Sequence, residues 1–337
     1  MHEARFWKKG EGDSVHCNLC RFHCHIKDGK RGICGVRENR EGTLFTLVYG
    51  KSIASNVDPI EKKPLFHLLP GSLSYSIATV GCNFRCLHCQ NYQIAQWPHH
   101  KSSIPGDPLS PQQVVEKALA AGCRSIAYTY TEPTIFFEYA YDTAVLAREA
   151  GLKNVFVTNG YTSTEALETI APYLDAANVD LKGFTEEFYR HVTGASLQGV
   201  LATLKEYRRL GIWIEVTTLI IPNHNDDEEQ LRGIADFIAA ELDVTTPWHV
   251  TAFYPTHKML DEPPTPVSAL ETARQIGIDA GLQFVYTGNI PGADGESSLC
   301  PSCGETVVGR LGFRLTENNV QNGRCAACGT ALAGIWQ

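Results

Sequence analysis

Eleven of the chain's twelve cysteines fall in three tight groups, and they are the first residues whose types and spacing could do chemistry. Cys17, Cys20, Cys24 and Cys34 lie in CNLCRFHCHIKDGKRGICG; Cys82, Cys86 and Cys89 in GCNFRCLHCQN; Cys300, Cys303, Cys325 and Cys328 in CPSCG and CAACG. A reducing compartment does not preserve disulfides, so an intracellular chain with clustered thiols is expected to use them on metal. Cys123 stands alone after an Ala-rich stretch and reads as a small buried hydrophobe.

Each group has its own arithmetic. CxxxCxxC supplies three thiolates where a cubane iron-sulfur cluster normally takes four, which leaves one iron open to a non-protein ligand. The alternative is a zinc knuckle completed by a distant ligand or by His88 within the motif. The two CxxCG knuckles, with 21 residues between Cys303 and Cys325, suit a closed tetrahedral site. The intervening VVGRLGFRLTENN alternates like a hairpin, which reads as a zinc ribbon, with a rubredoxin-like single iron as the alternative. In the N-terminal group, Gly29, Gly32 and Gly35 supply turns that bring Cys34 back to the other three. Zinc and a second iron-sulfur cluster both accept four thiolates, so both stay open. Loose thiols with His16, His23 and His25 incidental are the remaining alternative.

These loops need a scaffold. Short β-branched runs at 74–80, 125–130, 154–158, 176–182, 213–221, 248–254 and 283–288 alternate with helical patterns at 110–121, 134–150, 163–174, 197–210, 226–242 and 266–280. The expected fold class is α/β, a partial (β/α)6-type TIM barrel. Residues 1–72 would form a Cys-rich N-terminal module, 73–293 the barrel and 294–337 the zinc ribbon, with turn-rich linkers at 98–111 and 288–298. Such barrels carry their sites at the C-terminal ends of the strands, where Cys82 to Cys89 fall.

The composition of the 337 residues, 43% hydrophobic and 20% charged, is ordinary globular usage, and no repeat of fixed period interrupts it. No window approaches a membrane span, and the first residues carry no apolar secretion signal, so a soluble cytoplasmic protein is expected. The net charge of -8 disfavours nucleic acid and acidic lipid. It is unevenly spread, with +3 over residues 1–50, zero over 296–337 and -11 between.

CxxxCxxC after the first strand, with His88 before the last Cys, resembles the radical S-adenosylmethionine superfamily. The resemblance implies a [4Fe-4S] cluster on Cys82, Cys86 and Cys89 whose open iron is chelated by S-adenosylmethionine. Reductive cleavage would then yield a 5'-deoxyadenosyl radical that abstracts hydrogen from a substrate. The cofactor carries that chemistry, and the protein holds it, excludes water and tunes the cluster. Tyr130-Thr131-Glu132-Pro133 stands where the family has a Gly-Gly-Glu type turn. Both glycines are missing, which leaves Glu132 and the backbone around Thr131 as the inferred cofactor contacts. Thr158-Asn159-Gly160 and Asp180-Leu181-Lys182 resemble the corresponding stretches of pyruvate formate-lyase activating enzyme and its relatives. Asp180 and Lys182 share one face of their strand and face a polar ligand or each other. His249 reaches the cofactor or substrate, or is a hydrogen-bonded core histidine.

Over the whole chain, the order of these motifs with YGKSIASNVDPIEKKPLFHLLPGS, FVYTGN and the final CxxCG pair resembles the radical enzyme of the AmmeMemoRadiSam system. That implies Memo-like and AMMECR-type proteins as partners, beside an electron donor such as ferredoxin or flavodoxin, and it supplies no substrate. Asp58, Glu61, Lys62 and Lys63 either border the cluster or are solvated. Two rival readings are a glycyl-radical activating enzyme and a noncatalytic zinc scaffold.

Overall fold

The computed structural model describes residues 1–290 and 295–337, so part of the expected 288–298 linker lies outside the described residues. The chain divides into two compact units, one of Met1–Asp58 with Ser74–Asp175, the other of Pro59–Leu73 with Ala176–Gln337.

In the first unit, strands β1 (Leu73–Ala78), β2 (Ser125–Tyr128) and β3 (Lys153–Thr158) pair in parallel, Ser125 opposite both Ser74 and Lys153. Helices α1 (Pro111–Ala120), α2 (Phe137–Glu149) and α3 (Thr164–Ile170) follow them. Ile77, Ile126, Tyr128 and Val155 are fully buried, as expected of parallel strands covered on both faces. Each helix starts where its chemistry says. Ser110 and Gln113 close a capping box on α1, and Ser163 accepts from the Ala166 N–H on α3. Pro133 opens a 3-10 turn, Pro133–Phe136, ahead of α2, so that helix begins three residues later than its periodicity predicts.

Residues 1–58 add two small antiparallel sheets, Trp7–Lys9 with Val15–Cys17 and His25–Ile26, and His2–Glu3 with Thr43–Thr46 and Arg37–Arg40. They are anchored by Glu138 of α2. Its Oε1 accepts from the Arg5 N–H at 2.7 Å and from Arg37 Nη2 at 3.0 Å, both charged side chains being 1% exposed.

The second unit holds β4 (Ala176–Asp180), β5 (Trp213–Ile220), β6 (Trp248–Ala252) and β7 (Val285–Gly288), successive parallel neighbours. Its helices are α4 (Leu197–Arg209), α5 (Glu228–Phe237) and α6 (Val267–Asp279). At the C-terminus the expected hairpin forms, Thr306–Leu311 antiparallel to Arg314–Asn318. This ribbon packs on residues 59–72, a stretch that lies within the expected N-terminal module but folds with the second unit. Leu68 bridges Ile335, the Ile335 N–H donates to the His67 carbonyl at 2.7 Å, and buried Arg310 donates to the Phe66 carbonyl while lying 4.1 Å over the Phe66 ring. Among the described residues no helix is long and apolar enough to cross a membrane.

Candidate active site

The loop after β1 presents Cys82, Cys86 and Cys89. The Cys82 Sγ accepts the Phe84 N–H at 3.4 Å, and the Cys89 N–H donates to the Cys86 carbonyl at 3.3 Å, so the loop turns back on itself at both ends of the motif. Burial, then the Glu132 charge and the neighbouring thiols, pushes the Cys82 pKa far up. A thiolate here therefore needs a cation to hold it, which fits a metal cluster rather than a free nucleophile. His88 is buried in the same loop.

Asn159, at the end of β3, reaches this loop. Its Nδ2 donates to Asn83 Oδ1 at 2.8 Å and lies 3.8 Å from Cys82 Sγ, while its Oδ1 accepts the Tyr161 N–H. Asn83 was not singled out from sequence, although it sits inside the cysteine motif.

Glu132 is fully buried and occupied by the protein. Its Oε1 accepts from the Thr134 N–H, the Thr134 hydroxyl and the Thr158 hydroxyl at 2.6 to 2.9 Å, and its Oε2 accepts the Asn159 N–H at 2.8 Å. Burial raises its pKa, and these donors pull it partly back. The side chain ties the end of β2 to the end of β3. Thr131 donates its hydroxyl to the Thr79 carbonyl at 2.9 Å, binding the same turn to β1.

The missing glycines of this turn have a structural answer. Tyr130 adopts φ +62, the left-handed conformation that glycine takes without strain. It is held there by Asn91 Nδ2, which donates to its carbonyl at 2.7 Å, and by its own hydroxyl, which donates to Asp58. Asp58, buried, also accepts from Ser76 at 2.9 Å. It is thus a supporting residue of the first unit rather than a solvated one.

In the second unit, Lys182 Nζ donates to Asp180 Oδ2 at 2.9 Å, so the two charges meet each other, with the strand ending at Asp180 and Lys182 lying two residues beyond it. His249 Nε2 is paired with Glu215 at 2.7 Å. Glu215, which the sequence did not flag, is fully buried and also accepts the Phe66 and His67 N–H groups and Trp213 Nε1. Burial pushes its pKa up, but the hydrogen bond and charge of His249, with His67 behind them, outweigh that and hold it below the ordinary value. His67 Nδ1 faces the Ala333 carbonyl, which only accepts, so Nδ1 carries the proton and Nε2 accepts from Tyr286. A cavity of about 480 Å3 in this unit is lined by Glu61, Phe66, His249, Thr251, Thr287 and Phe313 among others. Glu61 and Lys63 are buried, whereas Lys62 is exposed.

The four C-terminal thiols gather within 4.8 Å of one another, with Cys300 3.6 Å from Cys328 and Cys303 3.8 Å from Cys325. A tetrahedron with metal–sulfur bonds of about 2.3 Å has edges of roughly 3.8 Å, so this set fits one tetrahedral ion. Of the N-terminal set, Cys17, Cys20 and Cys34 are buried. His16 and His25 stack on each other at 4.7 Å and His23 bonds Asn18, so the thiols are the ligating side chains of that region that face one another. Cys123 is buried, as its lone position suggests.

The family model for the radical SAM superfamily matches residues 76–238. An uncharacterized protein of Methanocaldococcus jannaschii is 46% identical over 334 residues, 98% of this chain and 99% of its own length. A pyruvate formate-lyase-activating enzyme of Clostridium pasteurianum is 24% identical over 47% of this chain and 66% of its own. Among solved structures, a radical SAM methyltransferase from Sphaerobacter thermophilus superposes at a TM-score of 0.52 with 14% identity, covering 67% of this chain and 70% of that one. Streptococcus suis SuiB bound to S-adenosylmethionine gives 0.52 with 13% identity, covering 68% and 53%. These two likenesses concern the fold.

Proposed function

Residues 76–238 match the radical SAM superfamily, whose members are enzymes, and from that premise we propose that the chain cleaves S-adenosylmethionine reductively at a [4Fe-4S] cluster held by Cys82, Cys86 and Cys89. When bound, the cluster and S-adenosylmethionine supply a 5'-deoxyadenosyl radical that takes hydrogen from a substrate. The observation that carries the proposal is the convergence, within the first unit, of three strand ends on one cysteine loop: Thr79 to Cys89 after β1, Tyr130 to Glu132 after β2, Asn159 after β3. Alternating strands and helices favour the partial-barrel reading of the whole.

The chain's own residues then do four things. The cysteines bind the cluster, Asn159 donates an N–H toward Cys82, Glu132 and Thr131 lock the turn that borders the cofactor, and the buried surroundings exclude water. In this reading Asp180 and Lys182 meet the polar groups of S-adenosylmethionine, His249 faces the substrate cavity, and zinc occupies the C-terminal cysteines. A low-potential one-electron carrier such as ferredoxin or flavodoxin supplies the electron. A cytoplasmic setting belongs to the same reading, because thiols clustered for metal binding suit a reducing compartment. Memo-like and AMMECR-type partners rest on the sequence resemblance alone.

The test is anaerobic: iron, sulfide and zinc content, then 5'-deoxyadenosine formed from S-adenosylmethionine with dithionite. Cys82→Ala, Cys86→Ala or Cys89→Ala should abolish the product. Product from any of them, or a wild-type protein that takes up zinc and no iron, would sink the reading and leave the scaffold. Relatives named as activating enzymes favour a second reading, activation of a glycyl-radical enzyme. It predicts a glycyl radical signal on a partner protein after mixing.

A further inference from the structure

Beyond that centre, the first unit contains a second thiol cage with an unexplained feature. The hairpin pins Cys17 across from Cys24, whose carbonyl accepts the Cys17 N–H at 2.9 Å. The Phe22 N–H donates to Cys20 and the Val36 N–H to Cys34, the same i+2 amide bond that Phe84 gives Cys82. Arg37 lies beside this cage, 1% exposed and interacting electrostatically with Cys17, Cys34 and Cys20. Its Nη2 is satisfied by Glu138 and the Arg5 carbonyl, but its Nε and Nη1, both buried, have no hydrogen-bond partner among the described residues. Glu138 Oε2 is also buried without a partner among these residues; a buried guanidinium N–H lacking an acceptor is disfavoured, and the thiol cage beside Arg37 is the second place where an acceptor can stand.

The spacing of the thiols says which acceptor. The C-terminal four lie within 4.8 Å and touch one another, the geometry of a single ion. They are the one such set of three or more potential ligands among the described residues. The N-terminal four do not form such a set within 4.8 Å, which leaves room for a core carrying its own sulfide acceptors.

We infer that Cys17, Cys20, Cys24 and Cys34 hold a second, fully protein-ligated [4Fe-4S] cluster, with Arg37 donating Nε–H and Nη1–H to its sulfurs. It would sit against the Cys82 loop. A Cβ on Gly81 would stand 3.0 Å from the Cys34 carbonyl oxygen, Cys20 bridges Thr162, and Tyr161 packs between Phe22 and Phe84 at centroid distances of 4.8 and 5.4 Å.

The experiment uses the full chain, purified and reconstituted anaerobically with iron and sulfide, as wild type, as Cys82/Cys86/Cys89→Ala and as Cys17/Cys34→Ala. With four irons per cubane, wild type should hold about eight irons and each variant about four. The cluster surviving in Cys82/Cys86/Cys89→Ala should give an electron paramagnetic resonance signal that S-adenosylmethionine leaves unchanged, and reduced wild type should show spin interaction between two clusters. Zinc without iron in Cys82/Cys86/Cys89→Ala would overturn the inference while leaving the radical centre intact. Loss of the response to S-adenosylmethionine in Cys17/Cys34→Ala that remains folded would instead count against the proposed function. Arg37→Lys, which keeps the charge toward Glu138, should retain the second cluster and shift its midpoint potential. An unchanged potential would remove Arg37 from the site.

Discussion

Asn159 Nδ2 stands 3.8 Å from Cys82 Sγ and 2.8 Å from Asn83 Oδ1, so one amide at the end of β3 grips the cysteine loop that follows β1. Hydrogen bonds to cluster sulfurs raise the reduction potential, because they stabilise the more negative reduced state. Asn159→Ala should therefore keep its iron, show a more negative midpoint potential in a redox titration, and form 5'-deoxyadenosine roughly tenfold more slowly. Equal potentials would reduce Asn159 to a structural role.

Tyr130 offers a test of backbone strain at the site. Tyr130→Phe removes the hydroxyl donated to Asp58, which keeps Ser76, and should cost about 1 kcal/mol in urea unfolding. Tyr130→Val removes the same hydroxyl and adds a β-branched side chain at φ +62, so its loss should be clearly larger. Equal losses would mean that the left-handed conformation carries no strain here.

For the pair at the end of β4, Asp180→Asn or Lys182→Met breaks the 2.9 Å contact. If these charges also meet the cofactor, affinity for S-adenosylmethionine should fall roughly tenfold to a hundredfold by calorimetry, with iron near wild type. Undiminished affinity in both would make the pair purely internal.

His67 gives the protein a pH dependence of definite sign. Burial pulls its pKa from the ordinary 6.5 to about 4, so the folded state holds it neutral. The folded form then binds fewer protons than the unfolded one between those values, and stability is present above pH 6.5 and lost as pH falls toward 4. The loss attributable to His67 is about 3 kcal/mol. His67→Gln should flatten the stability profile over that interval, and a profile identical to wild type would show that the imidazole does not titrate with unfolding.

The C-terminal cysteines should matter beyond their own module. Metal binding supplies much of the folding free energy of so small a ribbon, and residues 66 to 71 lean on it through Arg310, Ile335 and Leu315. Cys325→Ser should lose zinc and expose 66–71 as well as 298–337 to amide hydrogen exchange, while the iron on Cys82, Cys86 and Cys89 stays. Protection confined to wild-type levels at 66–71 would make the ribbon an independent tail.

What the sequence determined by itself is whatever depends on near neighbours. Cysteine spacing marked three groups of thiols as candidate ligands because turns of two to nine residues return a thiol to its companions, and β-branched runs alternating with helical periods announced seven strands and their helices. Tertiary structure alone decided the rest. Glu215 meets the His67 N–H across 148 positions, Arg37 meets Glu138 across 101, and Asn159 meets Cys82 across 77. Such pairs leave no period or spacing in the sequence, because burial, not chain proximity, makes each of these polar groups need its partner. The same holds for Tyr130, whose left-handed turn is imposed by Asn91 and Asp58 and is invisible in a motif that merely lacks its glycines.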